Sequence, residues 1–113
     1  MAATLCKEER LSGKTAINSL LSKGEWGHTG HLKFCVLKEN GKEINRVMVS
    51  VPKKNFKRAV KRNLLKRRLR EAYRTQKDTA ATTGNDILLF YNATEVVEYP
   101  VIKEEVATIL GRV

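Results

Sequence analysis

A chain of 113 residues with a hydrophobic share of 42% has room for one domain with its own core and too little length for two. Its formal net charge of +10 points to an anionic partner, either nucleic acid or an acidic membrane surface. Cys6 and Cys35 belong to no CxxC or Cys/His cluster of metal-ligand spacing, and no apolar run approaches the ~20 residues that cross a bilayer, which argues against a zinc clip and a membrane span.

The first residues, MAATLCKEERLSGK, lack the apolar core of a secretory signal, so an intracellular, cytoplasmic protein with reduced thiols is expected. After Arg10 and Leu11, Ala16, Ile17, Leu20 and Leu21 recur at helical spacing and the pattern stops at Gly24, which predicts a helix of about three turns. Two runs of β-formers follow, Leu32 to Leu37 and Arg46 to Val51. The Asn40-Gly41 pair between them is a hairpin signal and predicts that the two strands pair antiparallel, with a short strand near Trp26 to His28 ahead of them.

Pro52 ends the second run, and the pattern is helical from about Phe56 to about Gln76. Beyond the polar stretch DTAATTGN, DILLFYN reads as a buried strand. Tyr99-Pro100 then opens a last helix with Ile102, Val106, Ile109 and Leu110 on one face. The expected fold is α+β in the order αβββαβα, one domain over residues 1–113.

The charge is not spread along this chain. Residues 53–74 hold eleven of the twenty-two Lys and Arg residues against one acid, Glu71, while the remainder is balanced at eleven basic and eleven acidic. At about 100° per residue, Leu65, Leu69, Ala72 and Tyr73 make a narrow apolar stripe, and Asn63, Lys66, Arg67, Arg70 and Arg74 fall on the adjoining face, with Arg62 at the border. A helix that needs only solvation mixes Glu with Lys at i,i+4. Packing like charges together costs a few tenths of a kcal/mol per pair, a cost that a polyanion relieves. Lys53, Lys54, Lys57, Arg58 and Lys61 prolong the strip towards the preceding strand, and Arg68 adds a further cation. Electrostatics alone leaves the kind of nucleic acid open.

The run Arg62-Asn63-Leu64-Leu65-Lys66-Arg67-Arg68-Leu69-Arg70-Glu71 resembles the signature helix, RNRxKRxxRE, of the protein subunit of bacterial ribonuclease P. The likeness extends to Val49-Ser50-Val51-Pro52-Lys53-Lys54 and Arg58-Ala59 upstream, and to Arg10-Leu11 and a first helix ending at Lys23-Gly24. It implies a small mixed sheet packed with helices and a left-handed crossover between the parallel strands that flank the signature helix, where the usual hand is right. It also implies a ribonucleoprotein endonuclease that removes the 5′ leader of precursor tRNA. The catalytic RNA would carry the active site and most of the bound divalent metal, Mg²⁺, with no catalytic residue, metal site or small-molecule substrate on the protein.

By that resemblance Arg62, Asn63, Lys66, Arg67 and Arg70, with the basic pair Lys53 and Lys54, face RNA, and Lys57, Arg58, Lys61, Arg68 and Arg74 join them as part of the cationic strip. The resemblance also implies a cleft between the first helix, the sheet and one side of the signature helix that holds the leader. Leu64 stands where the family usually has Arg, leaving Arg68 or Lys61 to compensate. Ile17 and Leu21 occupy first-helix positions where the family often presents Phe, and Lys33 and Cys35 fall on strand positions lining the same cleft. His28 and His31 lack further ligands at fitting spacing and read as surface histidines, Trp26 reads as a packing residue, with contact to a nucleotide at the cleft rim as its alternative, and no Walker-type loop occurs. The rival reading is a stand-alone basic nucleic-acid-binding module with no part in cleavage.

Overall fold

The computed structural model describes residues 9–11, 13–41, 43–77, 80 and 82–113. Helix α1 (Lys14–Lys23) ends at Gly24, whose N–H donates to Leu20 O at 2.9 Å. A Cβ at position 24 would lie 2.5 Å from both Cys35 Sγ and Leu20 O, so only glycine lets the chain pass this tightly from α1 into strand β1 (Glu25–His28). Next come strands β2 (Leu32–Leu37) and β3 (Arg46–Ser50), helix α2 (Ala59–Gln76), strand β4 (Asp86–Tyr91) and helix α3 (Tyr99–Leu110). The order is the expected αβββαβα.

The strands lie in the order β1-β2-β4-β3, which corrects the hairpin expectation. β2 and β3 do not pair; β4 runs between them, antiparallel to β2 and parallel to β3. The reason lies in β4 itself. Ile87, Leu89 and Tyr91 are buried towards one face and Leu88 towards the other, and a strand apolar on both faces gains most at the centre of a sheet. The Asn40-Gly41 turn does form, with positive φ at Glu39 (60°) and Gly41 (80°). Asn40, however, is tied to the start of β4, donating its N–H to Gly84 O and its Nδ2 to Asp86 Oδ1 at 2.8 Å, rather than closing a hairpin. Lys42 of the same turn lies outside the described residues.

Asp86 fastens the parallel pair. It is buried and receives Arg46 Nε and Nη2 at 2.8 Å each, a bidentate contact that joins the first residues of β3 and β4. The free edge of β3 is partly covered by Arg10 and Leu11, where Leu11 N–H donates to Val47 O. β3, α2 and β4 thus form a crossover between adjacent parallel strands, and α2 is held at both ends by the sheet.

Helices cover both faces. On one side Leu32, Phe34, Val36, Val47, Val51, Ile87, Leu89 and Tyr91 meet Leu65, Leu69, Ala72 and Tyr73 of α2 and Ile102, Val106, Ile109 and Leu110 of α3. These are the two helix stripes read from periodicity, and each fully buried large apolar side chain contributes about 1.5–3 kcal/mol. On the other side α1 brings Leu20, with Ala16 and Ile17 beside it, onto Cys35 and Leu88. Glu105 of α3 is pinned to the start of β2 by Thr29 Oγ1, the His31 N–H (2.6 Å) and His31 Nδ1 (2.6 Å). Burial alone would push the Glu105 carboxyl up, but those hydrogen bonds and the neighbouring His31 outweigh it and hold the group below its ordinary value.

Candidate nucleic-acid interface

The cationic strip begins where β3 stops. Pro52 O accepts the N–H groups of Asn55 and Phe56, so Lys53 and Lys54 sit exposed on a turn at the sheet edge. Helix α2 starts at Ala59, three residues later than the periodicity suggested, because Phe56 is drawn into the core edge-on against Tyr91, with ring centroids 5.6 Å apart. Lys57 and Arg58 therefore belong to the loop before the helix. The helix has no side-chain N-cap; Arg62 Nη1 instead folds back to donate to Phe56 O at 2.8 Å and Lys57 O at 2.9 Å, bracing that loop.

The cations divide into two groups by what they touch. Arg62 is committed to the loop, Arg68 donates Nη1 to Val97 O at 2.9 Å, and Arg74 pairs with Glu71 one turn back. The hydrogen bond from Arg74 holds the Glu71 carboxyl below its usual range, so the strip's one acid is already neutralised. By contrast, Lys53, Lys54, Lys57, Arg58, Lys61, Lys66, Arg67 and Arg70 make no side-chain hydrogen bond or ion pair with any other described residue. Asn63 is exposed among them. Such a surface keeps its donors available for an external anion, and Arg67 and Arg70 present planar forks that suit phosphate oxygens. Leu64 is half-buried, and Arg68 is partly spent on Val97, which leaves exposed Lys61 as the freer cation beside the missing signature Arg. Behind the face, burial and the charge of Glu9 push the Tyr73 hydroxyl up to about 12, so it stays neutral beneath the strip.

The expected cleft is only partly assembled as read. α1 and α2 lie on opposite faces of the sheet, so the body of α2 does not wall the α1 face, and the two surfaces approach each other around the β3 edge where Lys53 and Lys54 emerge. Cys35 is fully buried beneath α1 and donates its thiol to Leu20 O at 3.2 Å, and burial pushes that thiol up. It supports the floor of the groove rather than lining it, a correction to its place among the cleft residues. Ile17 is half-buried, whereas Leu21 is 42% exposed and Lys33 is exposed. Strand register sets His28, Lys33, Phe90 and Ser50 in one row across this face, where His28 and Lys33 are exposed and Phe90 packs half-buried against the cluster of Leu20, Cys35 and Leu88. Phe90 and Ser50 were not legible as neighbours of Lys33, because placing them required knowing that β4 lies between β2 and β3.

His31 is engaged with Glu105, and no group of three or more His, Cys, Asp or Glu placed to hold a metal ion occurs among the described residues.

A sequence model of the Ribonuclease P family matches residues 5–113, which takes in the cationic helix, the sheet and the α1 face together. The chain belongs to the ribonuclease P family. It is 34% identical over 103 residues to the ribonuclease P protein component of Porphyromonas gingivalis, covering 89% of this chain and 72% of that one. It is 29% identical over 109 residues to the corresponding protein of Syntrophus aciditrophicus, covering 96% and 90%. The ribonuclease P protein from Thermotoga maritima has the same fold, with a TM-score of 0.81 at 24% identity over 93% of this chain and 97% of that one. Membership in this family implies an RNA partner for the chain and favours a part in ribonuclease P over the stand-alone module.

Proposed function

We propose that this chain, acting as one RNA-binding domain, is the protein component of a ribonuclease P holoenzyme that cleaves the 5′ leader from precursor tRNA. The observation that carries the reading is the strip of eight cations without a described partner, running from Lys53 along α2 to Arg70 in a chain of this family. In the proposed complex Lys66, Arg67, Arg70 and Asn63 dock on phosphates of the catalytic RNA, and Lys53 and Lys54 carry positive potential round the β3 edge to the α1 face. There Lys33, with Leu21 and Ile17 beside it, meets the leader. The protein supplies charge neutralisation and position: it lowers repulsion between two polyanions and holds the leader so that the scissile phosphate stays in register.

Phosphodiester hydrolysis and its divalent metal, Mg²⁺, are assigned to the RNA, in keeping with the family likeness. Among the described residues no helix is long and apolar enough to cross a membrane, and the proposed work on precursor tRNA would be done in the cytoplasm. The test is a gel-shift titration of a bacterial ribonuclease P RNA with the Lys66→Glu, Arg67→Glu variant. Both side chains are free of described partners, so the circular dichroism spectrum should be unchanged while assembly at physiological salt is lost. A variant that assembles like the parent would sink the assignment.

A further inference from the structure

We infer that Trp26, backed by Lys33, is a stacking platform for one unpaired base of the RNA strand that lies on the α1 face. The inference rests on the ribonuclease P reading and adds to it the residue that grips a nucleotide. Trp26 is 49% exposed, although a tryptophan loses much by standing in water and is highly buried on average. It is nevertheless held in place: its Nε1–H donates to Leu21 O at 3.4 Å, which fastens the indole to the C-terminal turn of α1. The Lys33 ammonium lies over the same ring, 5.9 Å from its centroid.

Register puts Trp26 opposite Cys35 and His28 opposite Lys33, so the indole stands beside the row of His28, Lys33, Phe90 and Ser50, of which His28 and Lys33 are exposed. An indole that is already oriented has little rotamer freedom left to lose when a base lands on it. The adjacent ammonium then offers a contact to the phosphate of the stacked nucleotide. A paired base keeps its faces inside the duplex, so the ligand this geometry accepts is single-stranded RNA, read by stacking and therefore with little preference among bases. Ile17 and Leu21 on α1 are aliphatic, and Trp26 is the exposed aromatic ring beside them.

The holoenzyme reconstituted with a bacterial ribonuclease P RNA tests this through the ratio of its Kd values for precursor tRNAs with a one-nucleotide and a ten-nucleotide leader. Trp26→Ala should cut the affinity gained from the longer leader by roughly 5- to 150-fold, the range for one base on an aromatic ring at tenfold per 1.4 kcal/mol. Trp26→Phe should restore most of that gain, and emission from Trp26, the chain's one tryptophan, should fall when the ten-nucleotide substrate binds. A leader gain unchanged in Trp26→Ala, or absent from the parent, overturns the stacking role while leaving the ribonuclease P assignment standing. Failure of the parent to assemble with the RNA overturns both.

Discussion

Lys66, Arg67 and Arg70 share one face of α2 and make no side-chain hydrogen bond or ion pair with any other described residue, whereas Arg68, one residue on from Arg67, spends a guanidinium N–H on Val97 O. Replacing the first three together by Ala would remove the three proposed phosphate contacts and no described internal hydrogen bond. Each contact releases close to one counterion, so the slope of log K against log salt for the ribonuclease P RNA should become shallower by about 2–3. Between 50 and 200 mM salt the parent would then lose roughly 20- to 60-fold more affinity than the variant. Stability should stay within about 0.5 kcal/mol of the parent. Arg68→Ala reverses the pattern: it leaves a half-buried carbonyl without its donor, which costs about 1–2 kcal/mol and lowers Tm by roughly 4–8 °C, with a slope change of one unit at most. Anisotropy titrations at four salt concentrations, paired with thermal melts, read both quantities. A triple variant with the parental slope, or one that melts like Arg68→Ala, would refute the division between free and committed cations.

The Asp86→Ala substitution strands Arg46 and Asn40 at the joint of the parallel pair and should cost about 3–5 kcal/mol in urea unfolding; a loss under 1 kcal/mol would show that the bidentate contact is dispensable. Glu105 sits below its ordinary value of 4.5 in the fold, so its stabilising contribution is complete above that pH and is lost as the pH falls through the lower folded value. The stability gap between the parent and Glu105→Gln should accordingly narrow as the pH drops from 6 to 3, and a gap of constant size would contradict the clamp. Cys35 lies fully buried with its thiol pushed up, so in the native protein it should react with a thiol reagent far more slowly than in the urea-unfolded chain; comparable rates would mean that α1 opens readily.

Much of the interface was legible because it depends on local periodicity. A 3.6-residue repeat is enough to put Leu65, Leu69, Ala72 and Tyr73 under the helix and leave Lys66, Arg67 and Arg70 outside, and all four apolar residues are buried. What periodicity does not carry is pairing between distant segments. Asn40-Gly41 sits between two good strands and argues for a hairpin, yet the partner of both strands is β4, more than forty residues further on from the turn, and its two apolar faces decide the order. The fates of Cys35 and Lys33 follow from the same fact. They are two residues apart on one face, but Cys35 lies beneath α1 while Lys33 is exposed. Side-chain commitments such as Arg62 to the Phe56 and Lys57 carbonyls, or Arg68 to Val97, are likewise invisible in a motif. To the charge pattern of the sequence, Arg67 and Arg68 are two equal cations.

The central claim is that this chain raises the activity of a catalytic RNA that binds it. Leader removal from a precursor tRNA should be assayed with a bacterial ribonuclease P RNA at low Mg²⁺, where the RNA alone cleaves poorly, with and without the purified protein. The account predicts a large, salt-sensitive stimulation by the parent that disappears with Lys66→Glu, Arg67→Glu. Equal cleavage with and without the parent protein would contradict it.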